Sequence, residues 1–310
     1  MIAGAVAVPG DVSAEVLARA EAAYLGLALG DALGATVEFM TPREIAHQYG
    51  VHREIVGGGW LRLRPGQVTD DTGMALALGA AILAKRGKVE PFACAQAFDA
   101  WMRSKPPDIG NTVRRNLVHF RKTCHPEAAY CEHDAGNGAA MRVLPVALAT
   151  LGQPEAEVRA ACRAQAHVTH HNAMSDAACE FLVLAVQDFL LGKSLREVFR
   201  QRMQPLVRAN PAFAFRGRPR RENPSGWVVE TLQAVLQSLV DVGGFESCLI
   251  DVVNRGGDAD TTGAIAGMLA GALYGLPAVP QRWLGKLEPS VYAGCSRQAR
   301  QLVTLSAAIG

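Results

Sequence analysis

Apolar residues recur along most of the chain at the three- and four-residue spacing of an amphipathic α-helix. No segment of note alternates polar and apolar residues with the two-residue period of a strand. The pattern therefore predicts an all-α fold, compact and formed as one domain over residues 1–310, with residues 1–10 flexible. Helices are expected over about 14–33, 71–85, 91–102, 108–120, 139–151, 154–168, 172–191 and 225–240, with a short helix after the capping box at Thr41 and two more after residue 240.

Two of the predicted helices carry glycine at every fourth position. A stripe of glycine leaves bare backbone along one face, so that a second helix can approach closely, although glycine lowers helix propensity. We therefore expect these two helices to pack tightly in the core. The glycines are at positions 26, 30 and 34 in the first helix and at 263, 267, 271 and 275 in the later one.

Composition narrows the class of protein. Hydrophobic residues make up 49% of the 310 residues and charged residues 19%, as in a globular protein. A net charge of +2 gives no broad basic field, so nucleic acid is not an expected partner. Seven cysteines without a CxxC pair, no signal sequence and no apolar run of about 20 residues indicate a cytoplasmic protein without a transmembrane segment.

Carboxylate and hydroxyl oxygens are concentrated in two short segments that each precede an apolar helix. Residues 69–72 read Thr-Asp-Asp-Thr, and residues 258–262 read Asp-Ala-Asp-Thr-Thr. These side chains are candidate helix N-caps, but a cap needs one oxygen, and crowded carboxylates repel unless a cation lies among them. We therefore favour a Mg²⁺ or Mn²⁺ site over capping. The candidate ligands of two cations are Thr69, Asp70, Asp71, Asp258, Asp260 and Thr261 or Thr262.

Other polar residues have competing interpretations. Asp31 and Glu38 lie in apolar surroundings, where Asp31 is expected to hydrogen-bond a neighbouring turn and Glu38 either to be solvated or to join the acidic site. His133-Asp134 is the dipeptide of metal phosphohydrolases, and nearby histidines at 167, 170 and 171 extend that alternative. The arginines at 216–221 are interpreted as a solvated loop or a docking patch.

Five motifs, in the same order and spacing over about residues 20–300, resemble those of the ADP-ribosylglycohydrolase family. They are 30–34 with Glu38, 69–72, 108–112, 136–138 and 256–261. Residues 168–172 and 225–233 are most similar to the bacterial members that act on dinitrogenase reductase. The joint match is specific, although no single motif would be.

The resemblance implies a helical fold with a dinuclear Mn²⁺ or Mg²⁺ centre in a central cleft, which cleaves the N-glycosidic bond between ADP-ribose and arginine. The metal ligands it implies are Thr69, Asp70, Asp71, Asp258, Asp260 and Thr261. Glu38 and Asp108 are the implied acid and base, in an order that the sequence leaves open. The implied substrate-binding residues are Gly110, Asn111, Gly136, Asn137, Gly138, His170 and Trp227.

The resemblance also implies an ADP-ribosylated protein as substrate, the nitrogenase iron protein. It further implies control by a PII-type signalling protein and reversible association with the membrane through a partner. Two alternatives stay open: a hydrolase acting on another acceptor, and a non-catalytic member that binds ADP-ribose. A non-catalytic member would be expected to lack some of the acids, and this chain lacks none of them.

Overall fold

The computed structural model describes residues 12–307. The prediction that residues 1–10 are flexible concerns residues outside this range. Residues 12–307 fold almost entirely into α-helices, which confirms the predicted all-α class. Two isolated antiparallel bridges, Gly58 with Leu63 and Gly136 with Trp227, are the only β-pairing within the described range. The helices are α1 Ala14–Gly34, α2 Pro42–Tyr49, α3 Asp70–Ala84, α4 Pro91–Arg103, α5 Asn111–Thr123, α6 Leu144–Ala149, α7 Glu155–Ala166, α8 Ala173–Leu190, α9 Leu195–Val198, α10 Gln204–Ala209, α11 Val228–Asp241, α12 Phe245–Val253, α13 Ala259–Tyr274, α14 Gln281–Leu284 and α15 Pro289–Ala307.

Helices α1 and α13 form the centre of the molecule and pack backbone to backbone along their glycine stripes. A Cβ atom built on Gly30 would lie 1.9 Å from the carbonyl oxygen of Gly263, and one on Gly267 would lie 1.9 Å from that of Gly26. Since later residues of α1 face earlier residues of α13, the two helices run antiparallel. The close packing predicted from the glycine spacing is confirmed.

The antiparallel arrangement places the end of α1 beside the start of α13, because Gly34 contacts Ala259. Helix α3 is tied to the same place by Asp31. Its carboxylate accepts hydrogen bonds from the backbone N–H of Thr69 (3.0 Å) and from the N–H and hydroxyl of Thr72 (3.1 and 2.5 Å). Asp31 therefore hydrogen-bonds a neighbouring turn, as predicted, and this turn begins the oxygen-rich segment 69–72.

The surrounding helices enclose this centre in an apolar core. Most residues of α8 are buried, and α6 is buried along its whole length. At the opposite side, Gln298 of α15 accepts a hydrogen bond from the hydroxyl of Tyr24 (2.8 Å) and donates one to the carbonyl of Leu76 (2.9 Å). The long terminal helix therefore links α1 and α3 and holds the elements that carry the acids.

Two predicted helix boundaries were wrong, and one helical segment was missed. The N-cap of α5 is Gly110, so Asp108 lies before the helix and does not cap it. The helix expected over residues 139–151 is restricted to α6, because residues 138–142 form turns that start from Asn137. Residues 195–209 are helical, with a π-helical turn at Phe199–Met203, although no helix was predicted there.

The prediction of two helices after residue 240 was also wrong, since α12, α13, α14 and α15 follow it in the described chain. The boundary of α12 shows why the prediction failed. Gly243-Gly244 precedes it, and Gly244 has a φ of 122°, which is not helical and separates the apolar helices α11 and α12. The Gly-Gly pair is a turn signal that marks this boundary in the sequence, and the prediction did not use it.

Candidate metal centre and its cleft

A cleft of about 350 Å³ opens where the end of α1 meets the starts of α3, α5 and α13. The loop at 136–138 and Gly226 complete its walls. Residues from seven separate stretches of sequence are thus brought to one place by the packing of helix ends and loops. The predicted site residues that line it are Glu38, Asp70, Asp108, Gly110, Asn111, Gly136, Asn137, Gly138, His170, Asp258, Asp260 and Thr261.

The remaining predicted residues lie behind or beside the cleft. Thr69 and Asp71 are buried next to the lining acids: the Thr69 hydroxyl lies 3.1 Å from Asp71 Oδ2 and 3.4 Å from Asp260 Oδ2. Trp227 is not among the lining residues and is 44% exposed, although its backbone pairs with Gly136. Trp227, one of the implied substrate-binding residues, therefore lies next to the cleft lining and is not part of it.

The N-cap residues of the two oxygen-rich segments do not cap their helices with their side chains. Thr69 and Asp258 occupy the N-cap positions of α3 and α13, but neither side chain accepts a hydrogen bond from its helix. The two segments instead face each other, and the hydroxyl of Thr261 lies 3.4 Å from Asp71 Oδ2 across 190 residues of sequence. These contacts favour the interpretation as a cation site over capping.

The donor set fits divalent cations. Two groups of carboxylates have ligand atoms that all lie within 4.8 Å of one another: Glu38 with Asp258 and Asp260, and Asp70 with Asp71 and Asp260. Within residues 12–307 none of these five acids has an ion pair with lysine, arginine or histidine, and Asp71 Oδ1 has no hydrogen-bond partner although it is buried. Buried carboxylates need a compensating charge, and hard oxygen donors suit Mg²⁺ and Mn²⁺.

The crowding of these acids shifts their protonation. Burial, followed by the Asp108 and Asp31 carboxylates, raises the pKa of Asp70 to about 7. Burial and neighbouring acids also raise the pKa values of Asp71 and Asp260 well above their usual range. Without cations the cluster therefore retains protons near neutral pH, and a divalent cation would displace them.

Glu38 lies at the mouth of the cleft in a rigid turn. Burial raises its pKa to about 8, whereas the indole N–H of Trp60, which donates a 2.6 Å hydrogen bond to Oε2, opposes the shift. Phe39 has a φ of 63°, a left-handed conformation that is costly for an aromatic residue. Hydrogen bonds in both directions with Gly257, from Phe39 N–H (2.7 Å) and to Met40 C=O (3.0 Å), hold this turn against the start of α13.

The other walls of the cleft present amides and small residues. The backbone N–H of Gly110 donates to Asp70 Oδ2 (3.3 Å), and the Asn137 amide donates to Asp258 Oδ2 (2.6 Å). Helix α5 starts without a capping side chain, and its first residues line the cleft. Backbone amides at such a helix start are suited to an anionic ligand such as phosphate.

The alternative phosphohydrolase site is not formed. Asp134 pairs with Arg115, and neither it nor His133 lines the cleft. His167 bonds Asp176 (3.0 Å) and stacks on His171, whose Nδ1 lies 2.9 Å from the carbonyl of Ala128. These histidines stabilise the turn between α7 and α8, and among residues 12–307 no histidine belongs to a cluster of candidate metal ligands.

Several residues of the site carry no sequence signal that identified them. Phe39 lines the cleft directly after Glu38, and Gly226 faces Asp258. Trp60 lies 22 residues from Glu38 in an irregular glycine-rich segment, so no helical or strand period connects the two. Phe39 could have been found from its position directly after a predicted acid. The contact of Trp60 with Glu38 is visible only in the folded structure.

Comparisons with known proteins show what the whole chain is similar to. A family model described as ADP-ribosylglycohydrolase matches residues 12–308. The chain is 49% identical to the ADP-ribosyl-[dinitrogen reductase] glycohydrolase of Rhodospirillum rubrum, over 93% of this chain and 96% of that protein. It is 33% identical to an ADP-ribosylarginine hydrolase of Serratia proteamaculans, over 88% and 76% of the two chains. A solved ADP-ribosylglycohydrolase-related protein complex superposes with a TM-score of 0.83 at 35% identity, covering 94% of this chain and 99% of the other.

Proposed function

The chain belongs to the ADP-ribosylglycohydrolase family, and we propose that it hydrolyses the N-glycosidic bond between ADP-ribose and an arginine side chain of dinitrogenase reductase. It is a hydrolase by family. The single observation that carries the proposed substrate is the 49% identity to the Rhodospirillum rubrum glycohydrolase over almost the full length of both chains. The similarity to ADP-ribosylarginine hydrolases supports arginine as the acceptor residue.

We propose that two cations, Mn²⁺ or Mg²⁺, occupy the two overlapping groups of carboxylates, which share Asp260. Such cations, when bound, supply positive charge and Lewis acidity beside the ribose hydroxyls and water. The hydroxyls of Thr69 and Thr261 lie within the same cluster and complete an all-oxygen donor set. The proposed ligands are Thr69, Asp70, Asp71, Asp258, Asp260 and Thr261.

The protein's own residues would bind and orient the substrate. The start of α5 and the loop 136–138 would hold the diphosphate and its ribose, which fixes the scissile carbon near the acids. Glu38 and Asp108 would move the protons: one accepts a proton from water as the C–N bond breaks, and a proton returns to the leaving guanidine nitrogen. The products are free ADP-ribose and an unmodified arginine.

Replacement of single acids tests this site. Asp258→Asn or Asp70→Asn removes a carboxylate charge while keeping its size, so we expect release of ADP-ribose from modified arginine to fall more than about 100-fold. A 100-fold loss is about the largest loss of activity expected for a residue that only supports a metal ligand. The measurement is release of ADP-ribose from arginine-modified dinitrogenase reductase with Mn²⁺ and with chelator.

Asp241→Asn is the matched control, since Asp241 is an exposed acid at the end of α11, outside the cleft. It should retain full activity. Serine-linked ADP-ribose, offered in parallel, separates the proposed acceptor from another acceptor. Undiminished turnover in either cleft variant, or activity that survives complete chelation, would contradict the proposed roles.

We further propose that a PII-type signalling protein controls the enzyme and that a partner brings it reversibly to the membrane. This proposal is supported by the similarity to the ADP-ribosyl-[dinitrogen reductase] glycohydrolase. If the modification of dinitrogenase reductase is regulated, we expect its removal to be regulated too. No helix within residues 12–307 is both long and apolar enough to cross a bilayer.

A further inference from the structure

His170 enters the cleft from the turn between α7 and α8, in a narrow space left by two glycines. Its side chain is only 2% exposed. A Cβ atom on Gly136 would lie 3.0 Å from His170 Nε2, and one on Gly138 would lie 2.8 Å from Cε1. Because neither glycine has a Cβ atom, the ring fits beside them, with Nε2 next to Gly136, and all three residues line the cleft.

The Nδ1 side of the ring faces the protein interior and contacts Thr169. The hydroxyl of Thr169 lies 2.8 Å from His170 Nδ1 and accepts a 2.8 Å hydrogen bond from Nη2 of Arg142. Arginine has only donors, so this contact uses a lone pair of the hydroxyl and leaves its proton free. A fully buried hydroxyl is expected to donate its proton in a hydrogen bond. Among residues 12–307, the acceptor within reach of the Thr169 hydroxyl proton is Nδ1 of His170.

It follows that Nδ1 carries a lone pair and that the ring proton is on Nε2. Arg142 is itself fully buried and held in place: Nε donates to Gln165 Oε1 (2.9 Å), and the guanidinium lies 4.2 Å from the Phe98 ring centre. The Arg142 pKa, lowered by burial to about 10, keeps it cationic at neutral pH. Burial and the charges of Arg142 and Arg115 lower the pKa of His170 to about 3, so the ring is neutral.

We propose that Arg142 and Thr169 are positioning residues that hold His170 as a neutral Nε2–H donor, aimed at an anionic diphosphate oxygen of the bound ADP-ribose. The nearby start of α5 and loop 136–138, which also line the cleft, present further N–H groups to the same kind of ligand. The proposal rests on the proposed function only in taking ADP-ribose as the ligand. It requires no catalytic step.

A fixed tautomer has a physical advantage over a free one. A neutral imidazole that can place its proton on either nitrogen presents a donor or a lone pair to the cleft, and a lone pair repels a phosphate oxygen. The buried hydrogen bonds from Arg142 to Thr169 and from Thr169 to His170 fix the tautomer before the ligand binds. The donor is then preorganised, and less of the binding free energy is spent on ordering it.

The tautomer is measured directly by ¹⁵N–¹H correlation spectra of histidine-labelled, full-length protein loaded with diamagnetic Mg²⁺. The chain has eight histidines, and His170→Gln identifies the signals of this one. We expect the pattern of a neutral ring protonated at Nε2, with Nδ1 accepting a hydrogen bond. An Nδ1–H tautomer or a charged ring at neutral pH in the wild-type protein would overturn the proposal, whatever any variant does.

Thr169→Val keeps the shape of the side chain and removes the hydroxyl. We expect it to change the Nδ1 signal of His170 and to weaken ADP-ribose binding, measured by calorimetry, by about tenfold, as for loss of a hydrogen bond to a charged group. Thr169→Ser restores the hydroxyl and should restore both. The matched control is Thr150→Val, which removes another buried, hydrogen-bonded hydroxyl outside the cleft.

Equal loss of affinity in Thr169→Val and Thr150→Val, or an unchanged Nδ1 signal in the folded Thr169→Val protein, would overturn the assignment. These readouts are distinguishable from failure of the proposed function. A wild-type protein that binds ADP-ribose with the expected tautomer, but does not release it from arginine, would leave this inference intact and refute the proposed reaction.

Discussion

The hydrogen bond from Trp60 to Glu38 is a contact between an exposed aromatic residue and a buried acid at the mouth of the cleft. Trp60 is 52% exposed, yet its indole N–H is 2.6 Å from Glu38 Oε2 and its ring is 5.4 Å from that of Phe39. A carboxylate beside other acids would otherwise turn away from them. The indole N–H therefore fixes the direction of the group that we propose to move protons.

Trp60→Phe tests this contact because it retains an aromatic ring beside Phe39 and removes only the donor and the larger ring. We expect kcat for arginine-linked ADP-ribose to fall by about tenfold, the equivalent of roughly 1.4 kcal/mol for one hydrogen bond to a charged group. KM should change little, since Glu38 is not among the groups proposed to hold the nucleotide. Steady-state kinetics separate the two constants.

Tyr130→Phe is the control for that experiment, because Tyr130 is similarly exposed and lies outside the cleft. It should leave both constants unchanged. A Trp60→Phe enzyme with normal kcat would show that Glu38 is held by its surroundings without the indole. An increase in KM alone would instead place Trp60 among the residues that bind the substrate.

At the scale of the helix, the glycine seam between α1 and α13 sets how closely the helix ends approach. The two helices are in backbone contact at Gly26, Gly30 and Gly34, so any added side chain pushes them apart. Helix packing with ordinary side chains places axes about 8–10 Å apart. The glycine seam is thus a condition for Asp260, at the start of α13, to reach the acids carried by the segment after α1 and by the start of α3.

Gly267→Ala tests the seam two turns away from the acids. The new Cβ would lie 1.9 Å from the carbonyl oxygen of Gly26, a backbone atom with no rotamer to change. Alanine favours the helix by about 1 kcal/mol, but overpacking against backbone should outweigh this and destabilise the protein by about 1–3 kcal/mol or more. Urea denaturation with fixed Mg²⁺ measures the difference in unfolding free energy.

Gly294→Ala in α15 is the matched control, since it is also a helical glycine but its Cβ would meet only Leu76 at 3.5 Å, an ordinary contact. It should be neutral or stabilising through helix propensity. If Gly267→Ala proved as stable as Gly294→Ala, the two central helices would have room to separate, and the seam would not determine their distance.

How much of the fold is predictable also differs from element to element. The seam was predictable because glycine at every fourth position puts bare backbone along one helix face, which favours close approach of another helix. The start of α5 was not, because both Asp108 and Gly110 are acceptable N-cap residues and the sequence favours the acid. What decides between them is the cleft, in which Asp108 is a lining residue.

The candidate site shows the same division. Its carboxylates were predictable as a set, because each oxygen-rich segment exceeds what a helix cap requires. The hydrogen bond from Arg142 to Thr169 was not predictable, since an arginine followed 27 residues later by a threonine is not a characteristic spacing. Buried polar contacts between separate helices depend on tertiary packing, and a local pattern does not encode them.

For the whole molecule, the acidic cleft makes metal binding and stability depend on each other. Near neutral pH the cluster has no described cationic partner, so in the metal-free protein burial of its charge opposes folding. Some acids elsewhere in the structure have pKa values shifted in the opposite direction. Hydrogen bonds from Arg282 lower the pKa of Glu246, for example, and such groups stabilise the protein above their unfolded pKa values.

The cleft acids shift in the other direction, which gives a test by pH and metal. Folded pKa values of about 7 for Asp70 and about 8 for Glu38 lie above their unfolded values of about 4. Their contribution to stability is fully present below pH about 4 and is lost as pH rises through about 7 to 8. We therefore expect the melting temperature of chelated protein to fall between pH 5 and pH 8, while saturating Mg²⁺ raises it more at pH 8 than at pH 5, because fewer protons need displacing there. Asp70→Asn should flatten the pH dependence of the chelated protein and Asp241→Asn should not. A chelated protein equally stable at both pH values, with no response to Mg²⁺ or Mn²⁺, would show that these carboxylates are satisfied without a cation.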